Sequence, residues 1–201
     1  PAYDPDGNIV RNATYNVELI KRRYNAWHTY EEQALALGCV SHEKMAEVMN
    51  DLPDIEQRTD KADIGCGTGL LAKAWRRGDM VGYDVSIGQV EIARASGRYA
   101  RVSELDINEH PLPKKYDLIT ACDLFNLELA TAECLPNVAS SLKEGGLLIM
   151  TMPQHSGYHD EAGWPFQTSF ELVSETDEYV YCRGEISGND KYHKVITWRK
   201  L

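Results

Sequence analysis

The sequence predicts an α/β fold built on a doubly wound, mostly parallel sheet, with helices before it and an antiparallel hairpin at its C-terminal end. Three observations carry that prediction. Short apolar runs alternate with helical patterns through the middle of the chain, the arrangement βαβ units produce. The stretch KADIGCGTGLLAKAW, residues 61–75, sets Gly65, Gly67 and Gly69 on alternate positions between a short apolar step and an apolar helical pattern. The last part of the chain holds strand-like runs separated by turn residues, with no helical pattern between them.

Each element follows from local chemistry. Val17, Ile20, Tyr24 and Trp27 recur at helical spacing, which predicts one helix over 14–37 closed by Gly38. Ser41 is placed to cap a second helix, SHEKMAEVMNDL, stopped by Pro53. MVGYD (80–84), ARVSELD (100–106), YDLITACD (116–123) and GGLLIMTM (145–152) read as strands. SIGQVEIARAS and ECLPNVASSLKEGG read as intervening helices, the second closed by Gly145. SFELVSE (169–175), EYVYCRGEIS (178–187) and YHKVITWRKL (192–201) complete the strands, with Gly188-Asn189-Asp190 as the turn of a final hairpin.

Composition bounds the function. At 201 residues, 43% hydrophobic and 26% charged, the chain suits one domain with a sizeable core, and no linker or repeat divides it. Thirty-one acidic residues against 21 basic give a net charge of −10 and leave no basic track, so no nucleic-acid partner is expected. Cys39, Cys66, Cys122, Cys134 and Cys182 show neither C-x-x-C spacing nor an even count. No metal and no disulfide framework are therefore expected, and a reducing cytoplasm fits. The opening PAYDPDGNIVRN lacks the apolar core of a signal peptide, and no run approaches the roughly 20 apolar residues of a membrane span. The expectation is a soluble cytoplasmic chain without a membrane partner, in which the Asn12-Ala13-Thr14 sequon has no meaning.

A strand that ends in Gly-x-Gly-x-Gly and runs directly into a helix brings bare backbone against a ligand. A dinucleotide or another adenosyl compound fits, since in either an acid ending the next strand grips ribose hydroxyls. Asp84, nineteen positions beyond Gly65, satisfies both. The spacing is not the G-x-G-x-x-G of the dinucleotide fingerprint, however, and Asp63 and Asp106 add two further acids.

Asp63-Ile64-Gly65-Cys66-Gly67-Thr68-Gly69 resembles the first motif of the class I S-adenosylmethionine-dependent methyltransferases. GYDVS (82–86), ELDINE (104–109), YDLITACDLF (116–125) and LKEGGLLIMT (142–151) resemble the motifs that follow, in the family's order. The resemblance implies a Rossmann-like sheet of seven strands, S-adenosylmethionine as cofactor and S-adenosylhomocysteine as product. It divides the single domain 1–201 into a helical cap at 1–55, a cofactor-binding core at 60–152, and a substrate-side loop with final strands at 153–201. YNAWHTYEE and the tail ending YHKVITWRK are similar, more narrowly, to the compact Williams–Beuren-region type. Asp60 and Lys61 depart from the apolar residues usual in the first strand.

The same resemblance implies roles. Gly65, Gly67 and Gly69 lie beneath the methionine part of the cofactor, and Asp63 orients the loop or meets the ammonium, capping of loop amides being the competing role. Asp84 accepts two ribose hydroxyls and serves only the ligand. Asp106 and the Ile107 amide hold the adenine while Val85 packs on it, and Cys66 and Cys122 pack nearby. No catalytic residue is legible, because displacement at an activated methyl needs positioning more than covalent help. The acceptor site is expected between Tyr24–Tyr30 and the loop 153–168, with Tyr24, Tyr30, His155 and Tyr158 as substrate contacts and His159, Trp164 and Phe166 beside them. DLFN (123–126) lacks the Asn/Asp-Pro-Pro-Tyr/Phe arrangement of amino-group methylating enzymes, which disfavours a base or a glutamine amide as acceptor. Methyl transfer to a small molecule is the first reading; an NAD-dependent oxidoreductase and a non-catalytic S-adenosylmethionine-binding interaction protein are the alternatives.

Overall fold

Hydrophobic periodicity lays down helices and strands in alternation, and a computed structural model describes residues 16–125, 129–130, 134–154, 169–182 and 191–201. The elements are α1 (Val17–Asn25), α2 (Tyr30–Ala36), α3 (Ser41–Asn50), β1 (Lys61–Ile64), α4 (Leu70–Trp75), β2 (Met80–Asp84), α5 (Ile87–Ser96), β3 (Arg101–Glu104), β4 (Tyr116–Ala121), α6 (Leu135–Ser140), β5 (Leu142–Pro153), β6 (Phe170–Glu175), β7 (Tyr179–Cys182) and β8 (Lys191–Lys200).

The strands form one sheet in the order β3-β2-β1-β4-β5-β8-β6, with β7 also paired to β8. β1 to β5 run parallel and β8 runs antiparallel to β5. β6 pairs with one half of β8 and β7 with the other, so together they make a single edge strand interrupted at 176–178. At the interruption Thr176 substitutes for the ladder, its N–H donating to Val195 O and its hydroxyl accepting from Val195 N, each at 3.0 Å. Seven sheet positions thus carry eight strands. The order reverses between β1 and β4, which opens the ligand crevice at their carboxyl ends.

Both faces of the sheet are covered. Ile64, Tyr83, Ile119, Phe125 and Leu148 pack with Leu135 and Val138 of α6 on one side. Met45, Met49, Leu71, Trp75 and Val90 of α3, α4 and α5 meet Leu118, Leu147 and Ile149 on the other. Lys61, odd for a first strand, is 5% exposed and donates to Asp79 Oδ2 at 2.8 Å, while Trp75 Nε1 donates to Asp79 Oδ1 at 2.8 Å. Burial alone would raise the Asp79 carboxyl, but those two donors outweigh it and hold it below its ordinary value. Asp60 accepts from Lys114 and Lys143.

Three local expectations are corrected. The helix predicted over 14–37 is two helices, because Gln89 Nε2 takes the carbonyls of Tyr24 at 2.8 Å and Trp27 at 3.1 Å. Asn25 Oδ1 accepts there from Ser86 Oγ at 2.8 Å and Gly88 N at 3.1 Å, and a Cβ on Gly88 would lie 2.6 Å from Asn25 O. Ser41 does not cap α3; it is the first helical residue, and Tyr179 donates its hydroxyl proton to Ser41 Oγ at 3.0 Å. Gly145 (φ +71) does not close α6, which ends at Ser140; it lies in β5 where the register against β4 shifts. The turn at 188–190 and the sequon fall outside the described residues.

Candidate functional site

The turn from β1 into α4 requires its glycines. Gly65, Gly67 and Gly69 have φ of +65, +51 and +94, a region costly for other residues. A Cβ on Gly65 would come within 2.7 Å of Leu124 Cδ1, and one on Gly69 within 3.0 Å of the Tyr99 ring. Bare backbone therefore stands at three alternate positions of the loop, with Cys66 and Thr68 between them. Thr68 Oγ1, buried in it, has no hydrogen-bond partner among the described residues.

Three acids surround this loop, each differently employed. Asp63, at the end of β1 and 1% exposed, accepts from Tyr99 Oη at 2.5 Å and Thr120 Oγ1 at 2.7 Å. Burial pushes its carboxyl up to about 6, against the lowering effect of those donors, and nearby Asp84 adds to the rise. Asp84 closes β2 and is half-buried; Gly67 N donates to its Oδ2 and Ser86 N to its Oδ1, both at 2.8 Å. Its carboxyl is also raised by burial, against the backbone donors. Asp84 therefore holds two turns of the chain besides any ligand, contrary to the expectation that it serves a ligand alone. Asp106 lies past β3 and accepts from Asn108 N at 3.0 Å, bracing the turn that carries Ile107. Ile107 is buried, and its carbonyl accepts from Asn137 Nδ2 at 2.9 Å. Val85 is half-buried next to Asp84.

A cleft opens beside the loop. Asp63, Gly65, Cys66, Gly67, Cys122 and Tyr30 of the sequence-predicted residues line it. Gly69, Asp84, Val85, Asp106, Ile107 and Tyr24 do not; Asp84 reaches it through Gly67, and Tyr24 stands behind Tyr30 with ring centroids 6.2 Å apart. His155 and Tyr158 lie outside the described residues. Burial drives the Cys66 and Cys122 thiols well up, with Asp84 and Asp123 next in effect, so neither is a nucleophile at neutral pH.

The cleft wall also holds groups that sequence reasoning passed over. His42, Cys39 and Asp123 line it. Asp123 follows β4 with φ +56; its N–H donates to Thr151 Oγ1 at 2.7 Å, and Thr151 donates in turn to Asp123 Oδ1 at 3.0 Å. His193 of β8 stacks on Tyr181 at 4.1 Å, and its Nδ1 stands 3.3 Å from Asp123 Oδ1 without hydrogen-bond alignment. Asp123 is the main cause of the raised Tyr181 hydroxyl, and for Tyr30 it adds to the larger effect of burial. The one sequence signal was the departure at DLFN; nothing local marks a histidine or tyrosine brought close to Asp123 from a distant strand.

Residues 62–146 match the family described as "Methyltransferase domain". Those residues form a methyltransferase domain, and the chain resembles the class I S-adenosylmethionine-dependent methyltransferases. The chain is 28% identical over 144 residues to the malonyl-[acyl-carrier protein] O-methyltransferase of Acetivibrio thermocellus, covering 68% of itself and 50% of that protein. It is 25% identical over 203 residues to the ubiquinone biosynthesis O-methyltransferase of a Bradyrhizobium species, covering 97% of itself and 69% of the relative. It thus spans about half the length of the first relative. Magnesium protoporphyrin IX methyltransferase from Synechocystis, solved with bound S-adenosylmethionine, shares the fold with a TM-score of 0.66 at 17% identity, over 94% of this chain and 100% of that one.

Proposed function

We propose that this chain binds S-adenosylmethionine along the Gly65–Gly69 loop and transfers its methyl group to a small-molecule acceptor. The supporting observation is the pair Asp63 and Asp84, both raised by burial, with no lysine or arginine bonded to either among the described residues. Such a pair favours a positively charged ligand and repels the pyrophosphate of a dinucleotide, which sets the methyl donor above NAD. The orphaned Thr68 hydroxyl and the three glycines of the loop fit the same ligand.

On this reading Asp84 holds the ribose while it braces Gly67. The turn at Asp106 and Ile107 meets the adenine, with Val85 against its face, and Asp63 offers negative charge to the ammonium. The bound cofactor supplies a methyl group already activated by positive sulfur. The chain then has to position an acceptor and exclude water. Tyr30 bounds the acceptor side, and α2 is fastened there by Glu31, which accepts from Arg98 at 2.8 Å and Lys73 at 2.8 Å. Tyr24 backs Tyr30, and His155 and Tyr158 belong to the loop assigned to the acceptor. The narrower Williams–Beuren-type reading draws support from YNAWHTYEE, which contributes Tyr30 to the cleft. No described helix is long and apolar enough to cross a membrane, and we assign the protein to the cytoplasm.

Calorimetric titration with S-adenosylmethionine, S-adenosylhomocysteine and NAD in parallel tests the reading. Both adenosyl ligands should bind and NAD should not. Equal response to NAD, or silence with both adenosyl ligands, refutes it.

A further inference from the structure

Resting on that reading, we propose that His42 is a catalytic residue that takes the acceptor's proton, so that the acceptor is a hydroxyl or an amine and not a carboxylate. His42 is the second residue of α3 and stands in the cleft wall with Asp123, Tyr30 and the glycine loop. It is 6% exposed, and no hydrogen bond ties its ring to another described residue. A buried imidazole facing a cleft without a partner has its lone pair available to whatever enters.

The charges around it suit proton acceptance. Burial lowers its pKa and keeps the ring neutral near pH 7. Glu43 on its own helix, Asp123 from the turn after β4 and Glu31 of α2 favour the imidazolium once it forms, while Lys73 of α4 opposes it. Tyr179 and Tyr181 of β7 lie on the strand that bonds to the start of α3, and their hydroxyls are raised, Tyr179 by burial and Tyr181 by Asp123 and burial, so they stay protonated; His193 of β8 stacks on Tyr181 with its Nδ1 3.3 Å from Asp123 Oδ1.

The same wall rejects a carboxylate. Among the described residues its charged side chains are Asp63 and Asp123, and no lysine or arginine lines it. An anionic acceptor would meet like charge without compensation, whereas a neutral hydroxyl or amine would not. The step balances as follows. A lone pair on the acceptor oxygen or nitrogen forms the bond to the methyl carbon as the carbon–sulfur bond breaks, and that bond's electrons stay on sulfur. The acceptor's proton passes to a ring nitrogen of His42 and afterwards to solvent.

The test uses the whole chain, a His42→Gln variant and a His42→Asn variant. Methylation is measured with catechol, an aliphatic alcohol, a primary amine, a malonyl thioester and trans-aconitate. S-adenosylhomocysteine affinity and thermal melting are measured alongside. The proposal expects turnover of a hydroxyl or amine acceptor with an acidic limb set by a group titrating below the usual histidine value. In both variants that limb should vanish and kcat should fall by roughly 10²- to 10⁴-fold, while melting holds and S-adenosylhomocysteine affinity stays within about threefold, less than the tenfold that 1.4 kcal/mol represents. Unchanged turnover in a folded variant, methylation confined to the two carboxylates, or turnover of nothing in the panel overturns it. If the unaltered chain fails to bind S-adenosylhomocysteine, the broader function fails instead.

Discussion

Ligand binding at this site should depend on pH through Asp63. Its carboxyl lies at about 6 in the empty protein, against about 3.9 for an unperturbed aspartate. The folded chain therefore binds this proton more tightly than the unfolded one, and between roughly pH 4 and 6 the empty protein loses stability as pH rises. A ligand ammonium near Asp63 reverses the preference by favouring the carboxylate. If it restored the ordinary value, the gap of roughly two pH units would be worth about 3 kcal/mol, or about a hundredfold in affinity. S-adenosylhomocysteine should thus bind more tightly as pH rises from 5 to 7 and level off above that. Calorimetry at pH 5.5 in two buffers of different ionisation heat should show release of most of a proton per ligand; at pH 8 it should show almost none. Asp63→Asn should abolish the release. Affinity that is flat from pH 5 to 8, with no proton released by the unaltered chain, refutes the placement of a cation beside Asp63.

Three further outcomes are expected. Asp84→Asn should weaken S-adenosylhomocysteine binding by roughly 1.5–3 kcal/mol in calorimetry, because hydrogen bonds to a charged acceptor are lost; melting should fall slightly, since the amide still accepts from only one of Gly67 N and Ser86 N. Gly65→Ala forces a Cβ into the left-handed region and against Leu124, costing about 1–2 kcal/mol in conformation alone, and should reduce affinity in the same titration by at least about tenfold. Asp79→Ala orphans buried Lys61 and should cost about 3 kcal/mol, read as a melting temperature lowered by roughly 6–12 °C, with Lys61→Met in the same background restoring most of it.

What the sequence made legible was local. The strands β2 to β5 follow from short apolar runs, and the loop at 65–69 from the rarity of residues that accept positive φ. What stayed hidden depended on partners far along the chain. The break between α1 and α2 exists because Gln89 and Gly88 meet the end of α1, contacts more than 60 positions away. Lys61 reads as a poor strand residue until Asp79 is beside it. On the cofactor side, Asp63, Gly65 and Gly67 were readable because their spacing is the motif. The opposite wall was not: His42 and Asp123 come from separate segments, and the stacked pair of Tyr181 and His193 behind Asp123 comes from two more, brought together by strand order.

Asp123 carries a consequence for natural variation. A side chain held at φ +56 is tolerated by aspartate better than by most residues, yet glycine would occupy that backbone more easily. Selection for stability alone would let this position drift toward asparagine, which tolerates the same backbone and whose side-chain oxygen could still accept from the buried Thr151 hydroxyl. Retaining aspartate makes sense only while a negative charge is wanted above the cleft. Position 123 thus sets the charge at this end of the cleft: an aspartate there adds to the negative potential that Tyr30, Tyr181 and His42 feel, and an asparagine would remove it.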